Sequence, residues 1–520
     1  MALSNPSESP AVVVREIDLT GGVPNVQSST GATVFTSRWG TVEERVLVSN
    51  EEDLVDKFGA PDSAHTLSFH RANMFLKYTN KLQVVRVIDG SAKNAVSTTP
   101  QTASATPPTE VVKNETDFNS QLAALDSDSH TFIAKYPGQL GNSLQVSMCP
   151  HSANDSAFTQ WTFKGEFDAA PGTSDFATKN NGSNDEVHVV VTDKSGKFTG
   201  TQGTVLERYA FLSLANNAKD TAGQNQFVKD VINENSKYVW LVDFDSDFQA
   251  AGAGTALDSG DNFTRTTGTT NTDKDFVFTQ GVDALAPTTS NILAGFDLFE
   301  DKDAVEIDFL IAPGMTSRSD QTTIVNDLVA TAASLRKDCV VVASPARSDI
   351  VNKTSASDIV TNIVATADTF TKSSYLIMDG NYLKVFDKFN DQFIFVPANS
   401  STAGIMAATD INRAPWFSPA GSRRGQYFGI TALSFSPTKP QRDTLYKAGV
   451  NPIANIPGAG VILFGDKTKL ARPSAFDRIN VRRLFLVLER AIARAAEQVL
   501  FEFNDEFTRA EFVNIVEPVL

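Results

Sequence analysis

The run DRINVRRLFLVLERAIARAAEQVLFEFNDEFTRAEF (477–512), which GDKTKLARPSAF (465–476) introduces, decides the fold. Pro473 and Ser474 interrupt the entry, and Asp477 is placed to cap a helix. Apolar residues then recur at spacings of three and four, which predicts one apolar stripe along a helix. The stripe consists of Val481, Leu484, Leu488, Ile492, Ala495 and Val499. The run therefore predicts a long amphipathic helix.

A second face of this helix carries Arg483, Arg490 and Arg494. The helix is expected to break at Asn504-Asp505, and Thr508-Arg509 begins another short helical segment. Residues 470–499 contain six arginines and three acids, a net charge of +3, whereas residues 501–520 contain one arginine and five acids. The whole chain of 520 residues carries a formal charge of −16. A local basic face is therefore arranged within an acidic protein.

Several other segments of the sequence form one series of motifs together with this run. Ser9-Pro10 precedes the extended AVVVREIDL (11–19), and Trp39-Gly40 and Phe58-Gly59 mark turns. The matching segments are FTSRWGTVEERVLVSNEEDLVDKFG (35–59), FLKYTNKLQVVRVID (75–89), YPGQLGNSL (136–144), FDLFED (296–301), DGNYLKVFDKFND (379–391), PWFSPAGSRRGQ (415–426) and QRDTLYKAGVNPI (441–453). With DRINVRRLF and FEFNDEFTR, this series resembles the contractile tail sheath proteins of tailed phages, over most of the chain except roughly 150–280.

The resemblance implies an α/β fold, α+β overall, with several domains. Residues 23–95 and 291–412 are expected to form an α/β core of subtilisin-like fold, and residues 96–290 an inserted β-rich outer domain. Residues 1–22 are read as an extended N-terminal arm, and 413–520 as a C-terminal sheath domain on the inner side. Members of the family continue past the end of this sequence with further strands, so the sequence as given is expected to be truncated relative to the family.

The residues themselves support alternation of strands and helices. Apolar runs such as VEIDFLIAP (305–313) and CVVVASP (339–345) are typical of buried strands, and Asp320–Lys337 between them has helical spacing. This order predicts a right-handed parallel crossover. The polar stretch 91–110 predicts a linker with almost no core-forming residues. The polar composition to about 290, with isolated strand-like runs, predicts a sheet-rich insertion.

The function implied by the resemblance is mechanical. The chain would be a structural subunit that polymerises with itself, as stacked six-fold rings in a helical array around a tail tube. It would then contract to drive the tube through the host envelope for genome delivery. Its other partners would be the baseplate and tail terminator proteins. Its location would be the virion, after assembly in the host cytoplasm.

Ten residues are candidates for the assembly interface. An exposed apolar strand can add to the sheet of a neighbour, and a basic face can contact a neighbour or an acidic tube. Arg423 and Arg424 beside glycine in PWFSPAGSRRGQ are compatible with an anion site, but we favour a surface loop in subunit contact. The candidates are Val12, Val13, Val14, Arg423, Arg424, Arg482, Arg483, Arg490, Arg494 and Glu497.

Several classes of function are disfavoured. The acidic balance argues against nucleic-acid binding, which needs a basic footprint, and the apolar runs are too short for a membrane helix. The polar start MALSNPSESP lacks a secretory signal, and Cys149 and Cys339 predict two reduced thiols. Subtilisin-type catalysis needs a histidine base, yet no histidine lies in 291–520. We therefore expect no catalytic residues.

Cofactor and metal motifs are also missing from the sequence. In IPGAGVILFGDKTK (456–469), Gly465 is followed by Asp466, so the phosphate-loop pattern fails. His65 and His70 are five apart and poorly placed for one metal on a helix. The pairs Asp301/Asp303 and Asp243/Asp245 match no calcium-loop spacing. The prediction is that the chain holds neither a cofactor nor a metal.

Three alternatives remain open at this point. The first keeps the mechanics but makes the chain a sheath subunit of a bacterial contractile secretion or injection particle. The second is an α/β hydrolase with a decorated insertion, which the distribution of histidines disfavours. The third is a monomeric surface adhesin, which would explain the Ser/Thr/Asn-rich insertion but not the remaining chain.

Overall fold

The structure, a computed structural model, describes residues 29–97, 111–127, 131–242, 274–283, 286–497 and 499–517. Its strands are β1 Gly31–Phe35, β2 Arg45–Val48, β3 Leu82–Arg86, β4 Val96–Ser97, β5 Phe132–Ala134, β6 Leu144–Pro150, β7 Glu186–Asp193, β8 Thr204–Ser213, β9 Val239–Leu241, β10 Lys274–Val277, β11 Phe309–Ile311, β12 Val340–Ala343, β13 Leu376–Met378, β14 Tyr382–Asp387, β15 Gln392–Pro397, β16 Ala432–Leu433, β17 Ile453–Ile456 and β18 Gly460–Leu463.

The helices lie between these strands and after the last of them. They are α1 Glu51–Phe58, α2 Thr66–Leu76, α3 Glu115–Ser127, α4 Ser156–Gln160, α5 Asp175–Lys179, α6 Val228–Asn235, α7 Thr289–Asp297, α8 Arg318–Ala330, α9 Arg347–Ile350, α10 Ala356–Thr369, α11 Asn399–Asn412, α12 Lys439–Lys447, α13 Ile479–Glu497 and α14 Glu506–Val516. A π-helical turn, Thr331–Arg336, continues α8.

The central sheet has six strands in the order β13-β12-β11-β1-β3-β2. Neighbouring strands run parallel except β2, which runs antiparallel to β3. Parallel strands are covered on both faces and are therefore apolar throughout, as in the fully buried β12. The predicted α/β class is confirmed, and the parallel pairing of β11 with β12 agrees with the predicted crossover. The subtilisin-like detail stays a prediction.

Two apolar cores lie on the two faces of this sheet. Helices α7, α8 and α10 cover one face, where Val34, Leu310 and Val341 point. Helices α1, α2, α11 and α13 cover the other, where Phe309 and Ile377 point. Successive residues of a strand point to opposite faces of the sheet, so each strand contributes side chains to both cores. The central sheet is thus the middle layer between two layers of helices, and its strands come from two separate parts of the described chain.

The segment between β3 and β11 forms its own sheets. A four-stranded antiparallel sheet has the order β10-β6-β7-β8, and a three-stranded sheet has the order β4-β5-β9. One end of the predicted linker belongs to this structure, because Ala92, Ala95 and Val96 are fully buried and Asn94 donates to Val112 O and Ala134 O. That part of the linker prediction is wrong, since small residues fill these positions. The predicted domain boundaries remain predictions.

After β13 the chain builds two small sheets and then returns to the central sheet. Strands β15-β14-β16 form one sheet and β17-β18 the other, around a core that includes Leu383 and Ile453. The hairpin between β17 and β18 accounts for two glycines of the rejected phosphate-loop motif, because Gly458 and Gly460 both adopt a positive φ. Helix α13 then crosses the face of the central sheet that α1, α2 and α11 also cover, and α14 follows.

The start of α13 differs from the sequence prediction. Asp477 does not cap it: that residue ends a short 3₁₀ turn, Ala475–Asp477, whose cap is Ser474, which accepts from Phe476 N. The helix begins two residues later. The predicted break is confirmed, because Asp505 caps α14 by accepting from Thr508 N at 2.9 Å.

Candidate assembly surface

The face of α13 that meets the central sheet is the arginine face. Ile479 and Leu486 are the two residues of α13 that join the apolar core beneath it. At 100° per residue, Arg483, Arg490 and the two apolar residues lie on the same side of the helix. The contact is therefore mainly one of charged and polar groups, with a small apolar centre.

Arg483 forms a buried ion pair with Asp410 of α11. Both side chains are about 5% exposed or less, and the guanidinium also lies over the Phe309 ring, 4.2 Å from its centroid. A charge buried in this way needs a partner, because removal from water is costly. This pair links α13 to α11 and to strand β11.

Arg490 anchors the middle of the helix to the start of β11. Its Nη1 lies 2.9 Å from Asp308 Oδ1, and its Nη2 donates to Asp338 O at 2.8 Å. Asp308 Oδ2 also accepts from Thr30 N, which ties β1 to the same point. Burial lowers the pKa of Arg490, but the attraction of Asp308 and Asp338 outweighs burial and raises that pKa above its ordinary value.

Arg482 and Arg494 complete this row of arginines. Arg482 Nη2 donates to Ser374 Oγ at 2.5 Å, and its guanidinium lies over the rings of Tyr375 and Phe476. Arg494 pairs with Glu306 near the surface. The expectation of an outward-facing basic surface is wrong for Arg482, Arg483 and Arg490. The structure turns all three inward, because their acidic and aromatic partners lie on α11, next to strands of the central sheet and in the turn before α13.

The apolar stripe of α13 faces away from the sheet. Val481, Leu488 and Ile492 lie roughly opposite Ile479 and Leu486 around the helix and are partly exposed. Among the described residues, they belong to none of the apolar cores; Ala495 is the one stripe residue that is buried. The stripe is therefore half-buried, and the most exposed side of α13 is a third one that includes Phe485 and Glu489.

Aromatic residues extend this apolar surface beyond the end of α13. Phe501 is 97% exposed, and Phe503 and Phe507 are each 86% exposed. Glu497, the acidic candidate on α13, is exposed at the same end. An exposed patch of this kind on a soluble protein marks an interaction surface.

The loop that contains Arg423 and Arg424 lies near the start of α13. Arg423 is exposed, whereas Arg424 Nε donates to Ser418 O at 2.7 Å and its guanidinium stacks over Phe417. The neighbouring Trp416 is half exposed, and its carbonyl accepts from Asn480 Nδ2 of α13. The structure brings this loop beside the first turn of α13. Val12, Val13 and Val14 lie outside the described residues.

A buried carboxyl group at the ends of the parallel strands was not predicted from the sequence. Asp379, directly after β13, accepts from Ser344 Oγ at 2.7 Å and from Thr402 Oγ1 at 3.0 Å, and Thr402 also contacts the Tyr427 hydroxyl. Burial raises the pKa of Asp379 to about 7. No histidine follows residue 188 in the sequence, so Ser344 has no imidazole base from this part of the chain. The cluster joins β12 and β13 to α11.

One group of residues has the composition of a metal site. Asp62, His65 and Asp283 bring potential ligand atoms within 4.8 Å of one another. These groups already have partners: His65 Nδ1 lies 2.8 Å from Asp62 Oδ1, Arg38 Nε lies 3.5 Å from Asp62 Oδ2, and Asp283 accepts from Gln139 N. The His65 contact is also the main cause that lowers the pKa of Asp62 to about 2. The arrangement ties the segment after β10 to the turn before α2.

The described residues include no helix that is both long and apolar enough to span a bilayer. Asp301 and Asp303, considered above as a cation pair, make a local turn in which Asp303 N donates to Asp301 Oδ1. Cys149 and Cys339 are buried free thiols, and burial raises the pKa of Cys339.

Comparison with known proteins gives a consistent result. A family model described as the phage tail sheath protein central domain matches residues 285–469. The chain is 29% identical to the tail sheath protein of Salmonella phage ViI, over 100% of this chain and 89% of that protein. It is 27% identical to the tail sheath protein of Vibrio phage KVP40, over 98% and 90%, and 26% identical to that of Enterobacteria phage T4, over 97% and 88%.

Solved structures agree on the fold. The sheath tail protein of Listeria innocua superposes with a TM-score of 0.54 at 13% identity, over 95% of this chain and 86% of that one. The sheath tail protein of Desulfitobacterium hafniense gives a TM-score of 0.53 at 13% identity, over 98% and 88%. The fold described above is thus the fold of these proteins.

Proposed function

We propose that this chain, which is similar over nearly its whole length to tail sheath proteins of phages, is a structural subunit of a contractile tail sheath. We further propose that α13 presents the surface through which the subunits associate. The observation that carries the proposal is the orientation of α13. Its arginines hold it on the central sheet, and Val481, Leu488 and Ile492 on its other side remain partly exposed. Covering such a surface with a neighbour is favourable, because it removes apolar area from water.

The copies stack as six-fold rings in a helical array around the tail tube, with baseplate and tail terminator proteins at the two ends. Contacts that repeat without closing on themselves generate an array of this kind. The extended array is a high-energy state behind a kinetic barrier, which a baseplate trigger removes. Subunits then move as rigid bodies into a shorter and wider packing that drives the tube into the host. The two apolar cores on the central sheet support rigid-body movement, since packed cores resist deformation.

The remaining candidate residues have supporting roles. Val12, Val13 and Val14 in the arm add to a sheet of a neighbouring subunit and keep the copies linked during contraction. Arg423, Arg494 and Glu497 contact neighbours at the edges of α13. Arg482, Arg483, Arg490 and Arg424 act indirectly, because they hold α13 and its neighbouring loop in place.

The chain is a component of the virion, and we place its assembly in the host cytoplasm. It acts without catalysis, cofactor or metal, and it neither binds nucleic acid nor inserts into a membrane. The net charge of −16 supports the absence of nucleic-acid binding. The whole-chain similarity to phage proteins supports a viral sheath over that of a bacterial injection particle.

The test is electron microscopy of the purified chain at increasing concentration, with and without tail tube protein. The wild-type chain is expected to form striated hollow tubes. A Leu484→Asp/Leu488→Asp variant is expected to remain unassembled but folded, because both side chains lie on the outward stripe. Glu489→Gln, an exposed change on the same helix, serves as the control and should assemble normally.

Two outcomes would contradict the proposal in different ways. Tubes formed by the Asp variant as readily as by the wild type would show that the stripe is not the contact. A wild-type chain that stays monomeric even with tube protein would overturn the assembly function itself.

A further inference from the structure

A basic recess lies where the loop before α13 passes the ends of α10 and α12. Its volume is about 350 Å³. Five cations and two acids line it, a net charge of +3 in a chain whose total is −16. These residues are Lys372, Lys447, Lys467, Lys469, Arg472, Asp368 and Asp477. The recess is therefore a local site for negative charge.

Three of the five cations already serve the fold. Lys372 pairs with Asp368, Lys467 donates to Tyr446 O, and Lys469 donates to Ala448 O, so the last two cap the carboxyl end of α12. Lys447 and Arg472 are different: both are exposed, and neither has a hydrogen bond or ion pair to any described residue. Two unpaired cations thus flank the recess.

The acidic counterpart lies at the other end of α13. Residues 499–517 contain five acids and one arginine. Within the described part of the chain, Glu506 and Glu511 of α14 form no ion pair, and both are exposed. Phe507 lies one turn before Glu511 on the same face of α14. Helix α14 therefore presents an aromatic ring and a carboxylate side by side.

The two surfaces of one chain do not meet. Asp477, just before α13, lines the recess, whereas α14 begins after α13 has ended. The 19 residues of α13 span about 28 Å between them. No residue of α14 lines the recess, and Phe507 remains exposed. Neither surface therefore covers the other within one chain.

We propose that α14 of one copy docks on the basic recess of the next copy, with its carboxylates against Lys447 and Arg472 and Phe507 against the apolar lining of Leu470 and Pro473. The contact rests on the proposed sheath function and specifies one of its interfaces. Because the two surfaces differ, the contact is head-to-tail and repeats along an array. Exposed opposite charges contribute modestly per contact and are screened by salt, so the contact weakens as salt concentration rises.

The experiment is charge reversal with rescue. The variants are Lys447→Glu/Arg472→Glu, Glu506→Lys/Glu511→Lys, and the combination of all four, and the readout is the protein concentration at which tubes first scatter light. Each double reversal is expected to raise that concentration about tenfold at low salt, because like charges then face each other. The combination is expected to restore assembly.

Lys302→Glu/Lys353→Glu is the matched control for Lys447→Glu/Arg472→Glu, since it reverses two exposed lysines elsewhere with the same change in net charge. It should assemble like the wild type, and unchanged circular dichroism shows that each variant is folded. Double reversals that assemble normally, or a combination that fails to recover, would overturn this contact alone. A wild-type chain that never assembles would overturn the proposed function together with the contact.

Discussion

Helices α11 and α13 lie on the same face of the central sheet but are held there by opposite means. Helix α11 is buried over most of its length, and Met406 and Ala407 join the apolar core. Helix α13 contributes only Ile479 and Leu486 to that core and relies on arginines for the rest. The first helix is part of the folded interior, and the second is attached to its surface by charges.

The difference separates stability from assembly. A helix whose apolar side is buried in the core has no apolar side exposed to a neighbouring subunit. Since α13 is held by ion pairs, its stripe remains available outside the chain. The comparison thus predicts that changes in α11 affect folding, whereas changes on the outer side of α13 affect association.

The largest effect is expected at the point where the two helices meet. Asp410→Ala removes the carboxylate that forms the buried ion pair with Arg483. We expect the free energy of unfolding to fall by about 3–5 kcal/mol, as measured by urea denaturation of the unassembled chain.

A double variant, Arg483→Met/Asp410→Leu, is the control for this change. It replaces the pair with apolar groups and should recover most of the lost stability, because replacement of a buried pair is often neutral. An Asp410→Ala chain as stable as the wild type would mean that charge does not hold α13 in place.

A matched substitution in the two helices is expected to give the next largest effect. Ile405→Ala in α11 removes a side chain that is 1% exposed and should cost about 2–5 kcal/mol of unfolding free energy. Ile492→Ala in α13 removes a partly exposed stripe residue and should cost less than about 1 kcal/mol. Equal losses in urea denaturation would contradict the division between the helices.

The smallest effect is a dependence of stability on pH through Asp379, which hydrogen-bonds to Thr402 of α11. Burial raises the pKa of Asp379 from 3.8 to about 7, so the folded state holds the proton more tightly than the unfolded state does. Its contribution is therefore complete below about pH 4 and is lost as the pH rises through 7. Between pH 6 and 8 the loss is about 1.4 kcal/mol.

Asp379→Asn should remove this component, because an amide does not titrate. Urea denaturation at pH 6 and 8 should then give a smaller difference for the variant than for the wild type. The same pH difference in both proteins would show that another group is responsible.

The sequence predicted the elements of this molecule better than their orientation. Runs such as Val340–Ala343 are apolar enough to indicate buried strands without further information. The length of α13 and the break before Asp505 also follow from local signals. These features depend on residues that are close in the sequence, so they can be predicted from the sequence alone.

The orientation of α13 depends on residues far away in the chain. Arg490 is 182 positions from its partner Asp308, and Arg483 is 73 positions from Asp410. An apolar stripe alone indicates that side as the buried one, whereas the acidic partners on α11 and beside β11 turn the arginine side inward. The polar cluster around Asp379 was missed for the same reason, since Ser344 and Thr402 come together only in the fold.

The strand order also determines when the central sheet can form during translation. Strand β1 pairs with β11, and Thr33 Oγ1 donates to the carbonyl of Ile311, 278 positions later. At about 5–20 residues per second, the ribosome needs more than about 10 s to make the strand that β1 awaits. Helix α13, the last long element, leaves the ribosome after both. A nascent chain therefore cannot complete the surface on which α13 packs until nearly all of the chain has been translated.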